Sequence, residues 1–264
     1  MIPVDFHMHT DSSPDSQAPA RAMCEAALAR GLRHIAITDH VELVDFEKDG
    51  YAARADRSFR EQTALQSEFA GRLRISRGVE LGCPLYDEAT TSRLLDQHDY
   101  GFVLASQHQL GNEPDFYFCD FTQMDIPVTL DRYFESVLQV ARWGRFHSLA
   151  HLTYPLRYIP ASLRPADYTR WLPVIDEIFR ALIRGERALE INTSGLRKGG
   201  VTSPDFPLIR RYRDCGGRLL TFGSDAHRPE DVGAGIEEAA QLARDAGFSE
   251  VALFDGPSLT LLPL

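Results

Sequence analysis

Asp5-Phe6-His7-Met8-His9 closes a short apolar run, Ile2–Phe6, that suits a buried strand. Side chains alternate between the two faces of a strand. Asp5, His7 and His9 therefore point one way, and Phe6 and Met8 point the other way, toward packing. Two imidazoles at adjacent same-face positions can share one metal ion. A hydrogen-bonded structural pair is the competing reading of the same five residues.

The pair does not stand alone. Seven further runs read as strands: His34–Thr38, Leu73–Val79, Gly101–Ala105, Phe146–Ala150, Ala188–Ile191, Arg218–Phe222 and Val251–Phe254. Amphipathic stretches between them predict helices over Ala18–Arg30, Arg57–Gly71, Leu130–Trp143, Tyr168–Arg184, Phe206–Cys215 and Ile236–Ala246. Several are expected to close at a following glycine: Gly31, Gly185, Gly216 and Gly247. This rhythm predicts βα units around a parallel sheet. After the second strand come Asp39 and His40; after the third, Glu80; then His108, His151 and Asn192 in turn; and after the seventh, Asp225 and His227. In a barrel the C-terminal strand ends meet at one mouth, where barrel enzymes place their sites. Scattered structural histidines would not keep this phase. The expected fold is a single α/β barrel domain over residues 1–264.

Each position carries its own chemistry. Asp39, in Thr38-Asp39-His40, either orients a ligand or caps a turn. Glu80 has two oxygens and could bridge two ions, which in two-metal sites lie about 3.5–4 Å apart. His108 and His151 are single histidines after strands. Read singly they are packed core residues, and only their phase raises them. Gly223-Ser224-Asp225-Ala226-His227 repeats the spacing of two with mixed nitrogen and oxygen donors. Six of the nine histidines fall in this set, and His34, His98 and His147 are read as structural.

Bulk properties narrow the function classes. A chain of 264 residues fits one large domain, and its formal net charge of −10 argues against a broad grip on nucleic acid or an anionic membrane. Bound divalent ions would still make the mouth locally positive. The four cysteines form no C-x-x-C pair and read as reduced thiols of a cytoplasmic protein. Cys83, close after Glu80, is the one that could sit near a metal. The first residues lack the basic and apolar segments of a signal peptide, and no apolar run is long enough for a membrane span.

In order, H-x-H, T-D-H, Glu80, S-x-H, A-H and G-S-D-A-H resemble the PHP (polymerase and histidinol phosphatase) family from Asp5 to His227. The resemblance implies a distorted TIM-like (β/α)7 barrel, a cluster of two or three divalent ions (zinc, manganese or iron), and phosphoesterase activity. It implies His7, His9, Glu80 and Asp225 as ligands of one ion. Glu80 would bridge to a second, completed by His108 and His151, and Asp15, His40 and His227 would hold the third. Asp15 departs from the family pattern, where histidine is common, and adds negative charge. Glu80, Asp225 and His227 are the implied catalytic groups, with His227 a candidate proton donor to the leaving alkoxide.

The segment Leu189–Arg197 resembles the histidinol-phosphatase branch, in which an arginine after this strand contacts substrate phosphate. Arg197 matches it, and its fork of donors suits bidentate phosphate binding. Arg157 and Arg228 are further substrate-binding candidates; a solvated surface arginine is the competing reading for all three. The expected substrate is a small phosphate monoester, L-histidinol phosphate first, which would place the chain in histidine biosynthesis. Residues 112–127, with Phe116, Tyr117, Phe118 and Phe121, either cover the mouth or pack as a core loop. Three alternatives stay open. One is a phosphoesterase acting on nucleotide or oligonucleotide ends. Another is a metal-dependent amidohydrolase, disfavoured by the lack of a lysine after the fourth strand. The last is a non-catalytic metal-binding module.

Overall fold

The structure, a computed structural model, describes residues 2–198 and 200–264; Met1 and Gly199 lie outside the described residues. The chain runs β1 (Val4–Asp5), α1 (Ala20–Ala29), β2 (His34–Ile37), β3 (His40–Glu42), α2 (Tyr51–Glu68), β4 (Arg74–Gly82), α3 (Glu88–Gln97), β5 (Phe102–Ser106) and α4 (Ile126–Trp143). It continues through β6 (Ser148–Leu149), α5 (Leu172–Gly185), β7 (Ala188–Asn192), α6 (Phe206–Asp214), β8 (Leu220–Gly223), α7 (Ile236–Asp245), β9 (Glu250–Asp255) and β10 (Ser258–Pro263). Seven parallel strands follow the order β1-β2-β4-β5-β6-β7-β8. The Phe6 amide donates to the Phe222 carbonyl and the Asp225 amide to the His7 carbonyl, both at 2.8 Å, so the first and last strands meet and the barrel nearly closes.

β3 continues β2 along the same partner. His34–Ile37 face Arg74–Arg77, and His40–Glu42 face Glu80–Gly82. Between them the Thr38 amide turns to the Met8 carbonyl at 2.8 Å, while the Asp39 carbonyl accepts from the Glu80 amide at 3.1 Å. Pairing on both sides therefore carries β4 through Gly82, and Glu80 lies inside the strand rather than after it. His40 and Asn192 are likewise strand residues.

Packing divides into two clusters. Phe6 joins the larger one, edge-on to Phe102 at 5.0 Å. Met8 joins a smaller one with Ile35, Ile37 and the α1 residues Met23 and Ala27. α4 begins at Ile126 rather than Leu130, because the Asp125 side chain caps it by accepting from the Val128 amide at 3.1 Å. α2 begins at Tyr51 rather than Arg57. Its buried face includes Ser58 and Gln62, and the Gln62 amide pairs with both backbone groups of Gly78 in β4. Three of the four expected glycine closures take positive φ, but at α5 the left-handed residue is Glu186 (φ 54°) and Gly185 ends the helix.

β9 does not extend the barrel; it pairs antiparallel with β10. The hairpin covers the end opposite the mouth. The Phe254 carbonyl accepts from Ser76 Oγ at 2.7 Å, and its ring packs 5.2 Å from His147. His34 Nε2 lies 2.8 Å from Ser76 Oγ, and His147 Nδ1 accepts from the Val103 amide at 2.9 Å. His98 pairs with Asp56 and stacks on Phe59. Among the described residues no helix is long and apolar enough to cross a membrane.

Candidate metal centre

The nine residues expected to bind metal converge at the mouth, and Glu80 sits at their centre, fully buried. Its Oε2 is 3.3 Å from His7 Nε2, 3.6 Å from His9 Nε2 and 3.0 Å from His40 Nδ1. Its Oε1 is 2.8 Å from His151 Nε2 and 3.3 Å from His108 Nε2. Asp225 Oδ1 is 3.7 Å from His7 Nε2 and 3.4 Å from His9 Nε2, and the two imidazole nitrogens are 3.0 Å apart. His108 and His151 bring their Nε2 atoms to 3.3 Å. Asp15 Oδ2 lies 2.9 Å from His227 Nε2 and 3.6 Å from His40 Nε2. A tetrahedral ion with ligand bonds near 2.0–2.1 Å has donor–donor edges of about 3.3 Å. The donor spacings match such edges.

The outer ring nitrogens explain which atom faces inward. His7 Nδ1 is 2.6 Å from Glu190 Oε1, and His108 Nδ1 is 2.8 Å from Glu42 Oε1. His9 Nδ1 lies 3.3 Å from Ser13 Oγ, which itself donates to Asp39 Oδ1 at 2.8 Å. His227 Nδ1 lies 3.0 Å from the Asp225 carbonyl. Acceptors on the outer nitrogen fix the proton there and leave the Nε2 lone pair for a cation. The His7 and His9 Nε2 atoms then face each other at 3.0 Å, an approach that needs either a metal ion or a shared proton between them. The donor set therefore fits a multinuclear metal site. Asp39 orients His9 only through Ser13, and it also holds the Thr10 amide at 2.6 Å.

Charge reinforces the fit. Burial disfavours protonated His7, yet Glu190, Glu80 and Asp225 raise its pKa well above the ordinary value. Burial likewise opposes ionised Glu80, but His7, His40 and His108 hold it well below the carboxylate range. His9 is pushed down by burial and by the neighbouring His40 and His227. His151 (φ 48°) and Asp225 (φ 56°) adopt left-handed backbone, which costs on the order of 1 kcal/mol per residue. Cys83 stays outside the donor set. Burial pushes its thiol up to about 12, and its sulfur sits 3.6 Å from the Gln109 carbonyl.

The cluster opens into a cleft of about 560 Å³. Arg157 and Arg197 line it; Arg228 does not, and is exposed beside His227. Arg157 donates to Asp225 Oδ2 at 3.2 Å and to Asn192 Oδ1 at 3.1 Å. Arg197 donates to the Ser224 and Asp225 carbonyls at 2.5 and 3.0 Å. Two of its five N–H groups are thereby used, and it anchors the turn that carries Asp225. The segment 112–127 does not line the cleft: Phe116 and Phe121 are core residues, while Tyr117 and Phe118 face solvent. The aromatic wall comes instead from Tyr154, Tyr158 and Tyr168.

Sequence reasoning gave no role to Glu42 and Glu190. Each is a carboxylate in a barrel strand, two residues along the same face from a site residue, His40 or Asn192. For Glu190, a charged residue among the apolar positions of Ala188–Ile191 was the available signal; Glu42, in the short strand His40-Val41-Glu42, gave none.

The PHP domain model matches residues 5–194. The histidinol-phosphatase of Lactococcus lactis is 30% identical over 258 residues, covering 97% of this chain and 96% of that one. The probable histidinol-phosphatase of Thermotoga maritima is 30% identical over 267 residues, covering 99% of each chain. The crystal structure of histidinol phosphate phosphatase from Lactococcus lactis, complexed with zinc, L-histidinol and phosphate, has a TM-score of 0.82 at 27% identity over 98% of both chains. The barrel agrees with these matches, and the chain belongs to the PHP domain family.

Proposed function

We propose that the protein is a metal-dependent phosphomonoesterase that hydrolyses L-histidinol phosphate to L-histidinol and phosphate, as in histidine biosynthesis. One observation carries the reading: a buried donor cluster centred on Glu80 forms the floor of a cleft whose wall bears two arginines. His7, His9, Glu80 and Asp225 would hold one ion, Glu80, His108 and His151 a second, and Asp15, His40 and His227 a third. Divalent ions bound there would withdraw charge from phosphate oxygens and make water a nucleophile near neutral pH.

The protein's own groups orient the ester. Arg157 and Arg197 line the same cleft, and N–H groups not spent on Asp225, Asn192 and Ser224 would suit the remaining phosphate oxygens. His227 Nδ1 faces the Asp225 carbonyl, and Nε2 lies beside Asp15, the carboxylate-bearing member of the third site, which suits a ligand role. The wall that would meet the leaving group carries Tyr154, Tyr158, Tyr168, Asp167 and Asp205. Aromatic faces and carboxylates suit an imidazole ring and an ammonium group. The likeness to the Lactococcus lactis phosphatase supports the same substrate.

The test compares kcat/KM for L-histidinol phosphate with nucleoside monophosphates and sugar phosphates. The expected result is a preference on the order of 100-fold for L-histidinol phosphate. Equal or better turnover of nucleotides would discard the substrate while keeping the metal centre.

A further inference from the structure

We infer that Glu42 is a positioning residue shared by the second and third metal sites, so that the two ions are held together or lost together. The inference rests on the ligand assignment proposed above. In β3, His40 pairs with Glu80 and Glu42 with Gly82. Residues two apart on a strand share a face. The strand that offers His40 therefore offers Glu42 on the same side.

Glu42 Oε1 lies 2.8 Å from His108 Nδ1 and 3.4 Å from His40 Nδ1. His108 belongs to the second site and His40 to the third, so one oxygen lies beside the Nδ1 atoms of ligands from both, the outer nitrogen of His108 and the His40 nitrogen that also faces Glu80. The contact with His108 is a hydrogen bond, and it aims His108 Nε2 at Glu80. His40 Nδ1 is buried, makes no hydrogen bond of good geometry, and is held electrostatically between Glu80 and Glu42. Glu190, by contrast, reaches a single ligand, His7.

The fold reserves space for this carboxylate. A Cβ at Gly82 would lie 1.7 Å from Glu42 Oε2, so no larger residue fits opposite Glu42 without displacing it. Outer partners of metal ligands typically change metal affinity by about 10–100-fold when removed. Here the loss falls on two ions at once and spares the ion of His7, His9 and Asp225.

The test loads full-length protein with Zn²⁺, dialyses it against graded chelator, and counts zinc per chain by mass spectrometry. Wild type, Glu42→Ala, Glu42→Gln and Gly82→Ala are compared, with the melting temperature of each metal-free form. Expected in Glu42→Ala is joint loss of two ions at roughly 10–100-fold lower chelator, with one ion retained. Gly82→Ala, which keeps the carboxylate but pushes it aside, should reproduce that loss with an unchanged metal-free melting temperature. Glu42→Gln keeps the side-chain shape and an oxygen that can still accept from His108 but removes the negative charge beside the two histidines, so a smaller joint loss of the same two ions is expected there, and it carries the test if Glu42→Ala fails to fold. Wild-type affinity for all three ions in the variants, or loss of the His108 ion alone, would overturn the inference. A wild-type chain that never holds more than one ion would overturn the ligand assignment and this inference with it.

Discussion

Arg157 is half-buried against Asp225 and Asn192, while Arg228, one residue from a candidate ligand, is exposed and outside the cleft. Sequence position made both plausible; only the fold separates them. Arg157→Ala is expected to lower kcat/KM by roughly 10²–10³-fold, the usual cost of removing one preorganised donor to developing charge. Arg228→Ala should leave kcat/KM within about twofold, since its side chain makes none of the cleft's contacts. Steady-state kinetics of the two variants checks both, and a large loss in Arg228→Ala would misplace the phosphate. At this scale the donor residues were legible because paired donors such as His7 and His9, or Asp225 and His227, sit two apart and repeat after strands. Glu42 and Glu190 were not, because a single carboxylate gains meaning only from a partner distant in sequence: His108 for one, His7 for the other.

The β2–β3 break is the element on which the centre turns. Residues 34–42 keep one register against β4, so the offset that pairs His34 with Arg74 also places His40 against Glu80. The opposite end is locked by the β9–β10 hairpin through Ser76, which joins His34 to Phe254. Burial, aided by Arg74, lowers His34 to about 4. The unfolded chain, with histidine near 6.5, therefore binds the proton first as the solution is acidified. The stability contributed by neutral His34 is intact above about pH 6.5 and is lost as pH falls through about 4, a change on the order of 3 kcal/mol at most. His34→Gln keeps a donor for Ser76 but cannot titrate. Its unfolding free energy relative to wild type should rise as pH falls from neutrality toward 4, measured by urea denaturation. A pH-independent difference would contradict the assignment. Besides β3, which the strand expected over His34–Thr38 stops short of, α3 and β10 escaped the sequence for physical reasons. α3 has only Thr90, Thr91 and Leu94 buried, too few apolar positions for a helical period. β10 is largely exposed and shows no alternation, although Asp255-Gly256 before it is a hairpin signal.

As a whole the molecule concentrates its chemistry at one barrel mouth and balances a net charge of −10 with a site built for cations. The barrel class could be read from strand rhythm. The cleft wall could not, because Tyr154, Tyr158, Tyr168, Ser194, Arg197 and Asp205 arrive on irregular connections with no periodicity to read. Ions that bind only the folded chain stabilise it by about 2.7 kcal/mol per site at a hundredfold excess over Kd. Chelation is therefore expected to lower the melting temperature by several degrees, about 2–4 °C for each kcal/mol lost. Scanning calorimetry with and without chelator reads this directly, and an unchanged transition would mean that the cluster is held by protons alone.

The most direct test of the central claim is phosphate release from L-histidinol phosphate by one preparation before chelation, after chelation, and after Zn²⁺ or Mn²⁺ is restored. The predicted result is turnover that falls to background on chelation and returns with added metal. Undiminished turnover by protein shown to be metal-free would contradict the account.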